Sequence, residues 1–155
     1  MIWLDLGAYK FIVRYIKFGL FDFYMLKTKC ILEEVCDSDG LRISVMSRHT
    51  LDDGVTPDSR ITSASYDSRL PSLAPPSQLL RDYYKWGLSW DKFEKKYLEY
   101  INEPWIQTEI QRLASKSLES DITLLCIEES PENCHRRLLA EECKKYEPGL
   151  VLDVR

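Results

Sequence analysis

The chain has 155 residues and a mass of 18.2 kDa, long enough for one domain with a full core and too short for two ordinary ones. A net charge of −4 and a pI near 5.3 supply no general field for nucleic acid, so no nucleic-acid partner is expected and any anion site must be local. Five cysteines without dense disulfide spacing point to a reducing cytoplasm, and with no run of about 18 uncharged apolar residues no transmembrane span is expected.

The first 26 residues differ from the rest. They hold Trp3, Tyr9, Phe11, Tyr15, Phe18, Phe21, Phe23 and Tyr24, with Lys10, Arg14 and Lys17 at helical spacing. A helix of this kind must bury its aromatic faces, which makes it a candidate oligomer or partner contact, or a helix lying on a membrane surface. The alternative is a start codon set too early, because Met25 stands just before Lys27-Thr28-Lys29, where the domain proper (27–155) begins.

Lys27 to Val35 reads as a first strand, and Asp37-Ser38-Asp39-Gly40 as a turn with Gly40 available for positive φ. Leu41 to Ser47 alternates apolar Leu41, Ile43 and Val45 with Arg42 and Ser44, the pattern of a second strand. The polar loop Ser47 to Asp58 carries Arg48, His49, Asp52 and Asp53 just past that strand, at the edge where open α/β sheets bind ligands. The segment from Arg60 to Pro76 is irregular, with Pro71, Pro75 and Pro76 as breaks. Leu79 to Trp86 reads as helix stopped by Gly87, and Trp90 to Tyr100 as an amphipathic helix with Trp90, Phe93 and Tyr97 inward. Pro104 opens a third helix with Ile106, Ile110, Leu113 and Ala114 on its buried stripe.

Ile122 to Ile127 is a short apolar run expected as a buried strand, and Leu150 to Val154 as the last strand. Between them, Pro131 is placed at the first position of a helix with Ser130 as N-cap, so that Cys134, His135, Arg136 and Arg137 fall in its first turns. On the helical wheel His135 points inward with Leu138 and Leu139, Cys134 flanks it, and Arg136 and Arg137 point away. A cysteine near a helix start beside arginines has its thiolate favoured, which makes Cys134 the candidate nucleophile. His135, His49 and Glu128 are the acid–base candidates, and Ser47, Arg48 and Arg136 the candidate anion ligands. Cys126, Cys134 and His135 with a distant Cys30 or Cys36 are zinc-ligand types, but local Cys-x-x-Cys pairs are lacking, and no metal site or Cys126–Cys134 redox pair is expected.

Lys27-Thr28-Lys29, Gly40 to Val45 leading to Ser47-Arg48, Trp90 with Phe93 and Tyr97, and Thr123 to Glu128 followed by Cys134-His135-Arg136-Arg137-Leu138-Leu139-Ala140 together resemble the family called domain of unknown function 488. The resemblance implies a small α/β fold and transfers no catalytic roles; at the loop after the second strand only Arg48 matches the family pattern. The expectation is therefore a single three-layer α/β domain, a mainly parallel sheet flanked by helices. Its leading functional reading is a cytoplasmic enzyme acting on a small anionic ligand, a nucleotide or phosphorylated metabolite. The alternative is a non-catalytic interaction or regulatory module with a structural Cys-His-Arg network. The cofactor, like the substrate and the reaction, is left open by the sequence.

Overall fold

The computed structural model describes residues 23–155. The reading of the extension as a contact helix therefore falls, except for its last residues, outside the described part. Five strands, β1 (Met25–Cys30), β2 (Leu41–Ser44), β3 (Ser68–Arg69), β4 (Ile122–Cys126) and β5 (Val151–Val154), form one sheet in the order β3-β2-β4-β1-β5. All pairs are parallel, with Cys30 level with Cys126 and Ser44 with Leu125. Four helices flank the sheet: α1 (Ser77–Trp86), α2 (Trp90–Ile101), α3 (Pro104–Ser117) and α4 (His135–Tyr146). The described residues form a single three-layer α/β domain, as expected from the alternation of strand and helix patterns.

Pleating assigns the two faces of the sheet. Leu26, Ile43, Ile122 and Leu124 pack with Phe93, Tyr97, Ile110 and Leu139 in the main core beneath the helices. The residues between them, Lys27, Lys29, Arg42 and Thr123, are buried on the opposite face. Asp39, from the short 3-10 turn Asp37–Asp39, makes that burial possible. Its carboxylate lies 3.3 Å from Lys29 Nζ, pairs with Arg42, and accepts from the Cys36 backbone N–H at 3.0 Å. Burial opposes its ionisation, but the Cys36 N–H, Arg42 and Lys29 together hold the Asp39 carboxyl below its usual value.

Gly40 adopts φ +64, as its place in the turn predicts. It is needed there for a second reason, since a Cβ would lie 2.2 Å from the Asp121 carbonyl oxygen, which accepts from Leu41 N.

The boundaries of two strands differ from the sequence reading. β1 begins at Met25, paired with Val151, and ends at Cys30, because Glu33 turns the chain by accepting from Cys30 N through its carboxylate. β2 ends at Ser44, although Val45 N still reaches Leu125 O at 3.0 Å. The irregular segment before α1 contains β3 and a 3-10 turn, Pro71–Leu73. No helix among the described residues is long and apolar enough to cross a membrane.

Candidate functional site

The site lies at the C-terminal end of β4, the central strand. Cys126 is its last residue, and the chain then loops through Glu128 and Glu129 to α4. The expected helix start at Pro131 is corrected: Cys134 is the N-cap and His135 the first helical residue. Ser130 and Pro131 instead make local turns, Ser130 Oγ accepting from Glu132 N at 3.2 Å and Pro131 O from Cys134 N at 3.2 Å. That loop lets α4 return directly over the strand end.

The return brings the adjacent pair Cys134 and His135 onto Cys126 at the strand end. Ligand atoms of Cys126, Cys134 and His135 all lie within 4.8 Å of one another, and all three residues are buried. His135 Nε2 sits 2.9 Å from Val45 O. A carbonyl only accepts, so Nε2 carries a proton, and the ring turns Nδ1 toward Cys126 Sγ, 3.7 Å away. Tyr97 supports the ring edge-on at 5.5 Å.

The two thiols are inequivalent. The Cys134 thiol donates to Cys126, and against the cost of burial the Glu128 and Ile127 backbone N–H groups and the Arg136 charge add to it, so the Cys126 thiol is held below its ordinary range. Cys134 moves the other way: burial, then its bond to Cys126 and the adjacent charge, push its thiol well up. Of the two, the surroundings favour ionisation of Cys126, whereas the sequence reading put the favoured thiolate on Cys134.

Cys126, Cys134 and His135 open onto a cavity of about 730 Å³ over the strand ends. Glu128, Ser47 and Arg48 also line it, as do the aromatic residues Tyr83, Tyr84, Trp90 and Phe93. Arg48 is fixed by Gly54 O at 3.0 Å and Ser77 Oγ at 3.2 Å. The Glu128 side chain accepts from the Tyr84 hydroxyl instead of orienting His135 or Arg136.

Two site residues read from sequence stand elsewhere. Arg136 is fully buried, not outward. Its guanidinium donates to the carbonyls of Glu128 at 2.6 Å, Glu129 at 3.2 Å and Arg155 at 3.0 Å. The wheel treats one side of α4 as solvent, but the loop after β4 and the end of β5 close over that side of the first turn. Arg136 thus clamps the site loop and is not among the cavity-lining residues. His49 does not join His135. Its Nε2 is 2.7 Å from Ser44 Oγ and its ring meets Tyr66 edge-on, away from the cavity lining. Burial and then the nearby Arg69 charge lower its pKa.

The sequence reading missed Arg81 and Lys85, two cations four residues apart on α1 that line the cavity and have no ion pair among the described residues. Their spacing on a predicted helix next to the cavity-forming loop was the available signal. It also discounted Cys126, because eight positions separate it from Cys134; the loop after β4 spans that gap.

No curated protein and no solved structure matches the chain. A family model does, over residues 26–147, from the first strand through α4, and its description is the active DUF488-N3 subclade. With the strand, the site loop and the Cys-His-Arg helix all inside that match, the chain belongs to the DUF488-N3a family.

Proposed function

We propose that the protein is an enzyme that binds a small anionic ligand, a nucleotide or phosphorylated metabolite, in the cavity over β2 and β4 and acts on it through the Cys126 thiolate. The observation that carries this reading is the environment of Cys126 at the cavity floor: a thiol donor, two backbone N–H groups and a buried cation stabilise its sulfur as an anion. His135, its tautomer set by Val45 O, offers Nδ1 as the acceptor for the Cys126 proton. Arg48, Arg81 and Lys85 supply positive charge at the cavity wall, and Tyr83, Tyr84 and Trp90 supply aromatic surface for a ring. The description of the family subclade as active agrees with this reading.

A non-catalytic module is the second reading, favoured by the engagement of Arg136 and His135 with backbone carbonyls. Five free cysteines, four of them buried, fit the reducing cytoplasm, where we place the protein. The aromatic residues of the N-terminal extension serve partner contact in this account.

Thermal-shift screening with nucleotides and phosphorylated metabolites tests the ligand class. A ligand at 100 times its Kd stabilises the fold by about 2.7 kcal/mol, a shift of several degrees. The shift should shrink in Arg81→Ala and Lys85→Ala, both exposed and without an ion pair among the described residues. An unchanged shift in both variants would remove the cations from the ligand site, and no shift with any compound would favour the non-catalytic module.

A further inference from the structure

We propose that Cys126 Sγ, Cys134 Sγ and His135 Nδ1 form a three-ligand site for Zn²⁺, with the fourth coordination position on the cavity side. The inference deepens the reading above and rests on it for one consequence: zinc occupies the nucleophile and switches the thiol chemistry off.

Tetrahedral zinc holds sulfur at about 2.3 Å and imidazole nitrogen at about 2.0–2.1 Å, which puts a sulfur–nitrogen pair roughly 3.6 Å apart and a sulfur–sulfur pair roughly 3.8 Å apart. Cys126 Sγ and His135 Nδ1 are already separated by 3.7 Å, and the whole set lies within 4.8 Å. Rotation about the Cα–Cβ bond of Cys134, the N-cap of α4, would close the remainder.

Zinc-binding histidines give their other ring N–H to a carbonyl or carboxylate, which fixes the tautomer and aims the bare nitrogen at the metal. His135 donates Nε2–H to Val45 O at 2.9 Å, and Nδ1 faces the thiols. Tyr97 holds the ring plane.

The donor set is soft, which selects zinc over magnesium or calcium. Zn²⁺ bound by two thiolates and a neutral imidazole is a neutral unit, so burial carries little charge penalty. Binding displaces the protons still held by the two thiols to solvent, two at most, and no electrons move. Three protein ligands with one open position is the arrangement of zinc sites that also accept water or a ligand atom, and the open side here is the cavity.

The test uses the full chain freed of metal and titrated with Zn²⁺ or Co²⁺ in competition with a chromophoric chelator. One equivalent should bind, and the Co²⁺ form should show the visible bands of a tetrahedral site together with sulfur-to-cobalt charge transfer. Cys126→Ser and Cys134→Ser should each weaken binding about a hundredfold, while Cys36→Ser, at an exposed thiol outside the cluster, should leave it unchanged. Should the buried-site variants fail to fold, alkylation of the wild-type protein gives the same answer: Zn²⁺ should protect Cys126 and Cys134 and leave Cys36 reactive. No bound equivalent, an octahedral Co²⁺ spectrum, or protection confined to Cys36 or Cys30 would overturn the proposal. The metal-free protein separates the two readings. Selective alkylation of Cys126 without zinc binding ends the zinc site and keeps the nucleophile, whereas zinc binding with an inert Cys126 keeps the site and ends the nucleophile.

Discussion

At the scale of single residues, the division of labour in the Cys-His-Arg element follows from burial. Arg136 is the largest fully buried side chain, and its three carbonyl partners come from the site loop and the chain end. Arg136→Ala should destabilise the fold by about 2–5 kcal/mol, because it removes a fully buried side chain together with three charge-assisted hydrogen bonds. Arg136→Lys should recover little of that, since one ammonium cannot span three acceptors that a planar fork reaches. Denaturant unfolding of both variants checks the ordering, and a rescue by lysine would contradict the clamp. Gly40→Ala should cost about 3 kcal/mol by the same measurement, combining positive φ with a Cβ against the Asp121 carbonyl. Cys143 gives a contrast within α4: burial and the nearby Glu142 charge push its thiol to about 12, so it should stay unreactive where Cys126 reacts.

At the scale of elements, periodicity made most of the fold legible. β4 is a short apolar run bounded by polar residues, and α2 and α3 carry clean stripes, so their ends fall within a residue or two of the pattern. The start of α4 was not legible. Ser130 and Pro131 are sound start signals locally, but the chain first had to travel from the end of β4 to a position above it, a tertiary requirement invisible to capping rules. The same requirement hid the meeting of Cys126 with Cys134, and the burial of Arg136. The polar face of the sheet was equally hidden, because lysines in β1 look like an exposed edge until Asp39 is placed among them. Asp39 has its pKa depressed, so its contribution to stability is present above the ordinary carboxylate value of 3.8 and is lost as pH falls through its folded value. Acid titration of unfolding should therefore show stability falling below about pH 4, with the loss reduced in Asp39→Asn, itself destabilised at neutral pH by about 3–5 kcal/mol for two cations left unpaired. An acid profile identical in the variant would show that Asp39 does not govern it.

At the scale of the whole molecule, the parallel sheet gathers its loops at one edge, and that edge holds the cavity. Insertion of β4 between β1 and β2 puts Cys126 at the centre of this edge, with α1 contributing cations from one side and α4 contributing Cys134 and His135 from the other. The residues that set the chemistry thus come from separate stretches of the chain, held in register by strand pairing. The chemistry proposed for this edge turns on the reactivity of one sulfur, that of Cys126. Iodoacetamide labelling of the metal-free full chain across pH, with each cysteine followed by peptide mass spectrometry, measures it directly. Cys126 should be modified with a midpoint below the ordinary thiol value of 9.0 and well ahead of Cys134 and Cys143. Labelling of Cys126 no faster than Cys143, or of Cys134 first, would contradict the account.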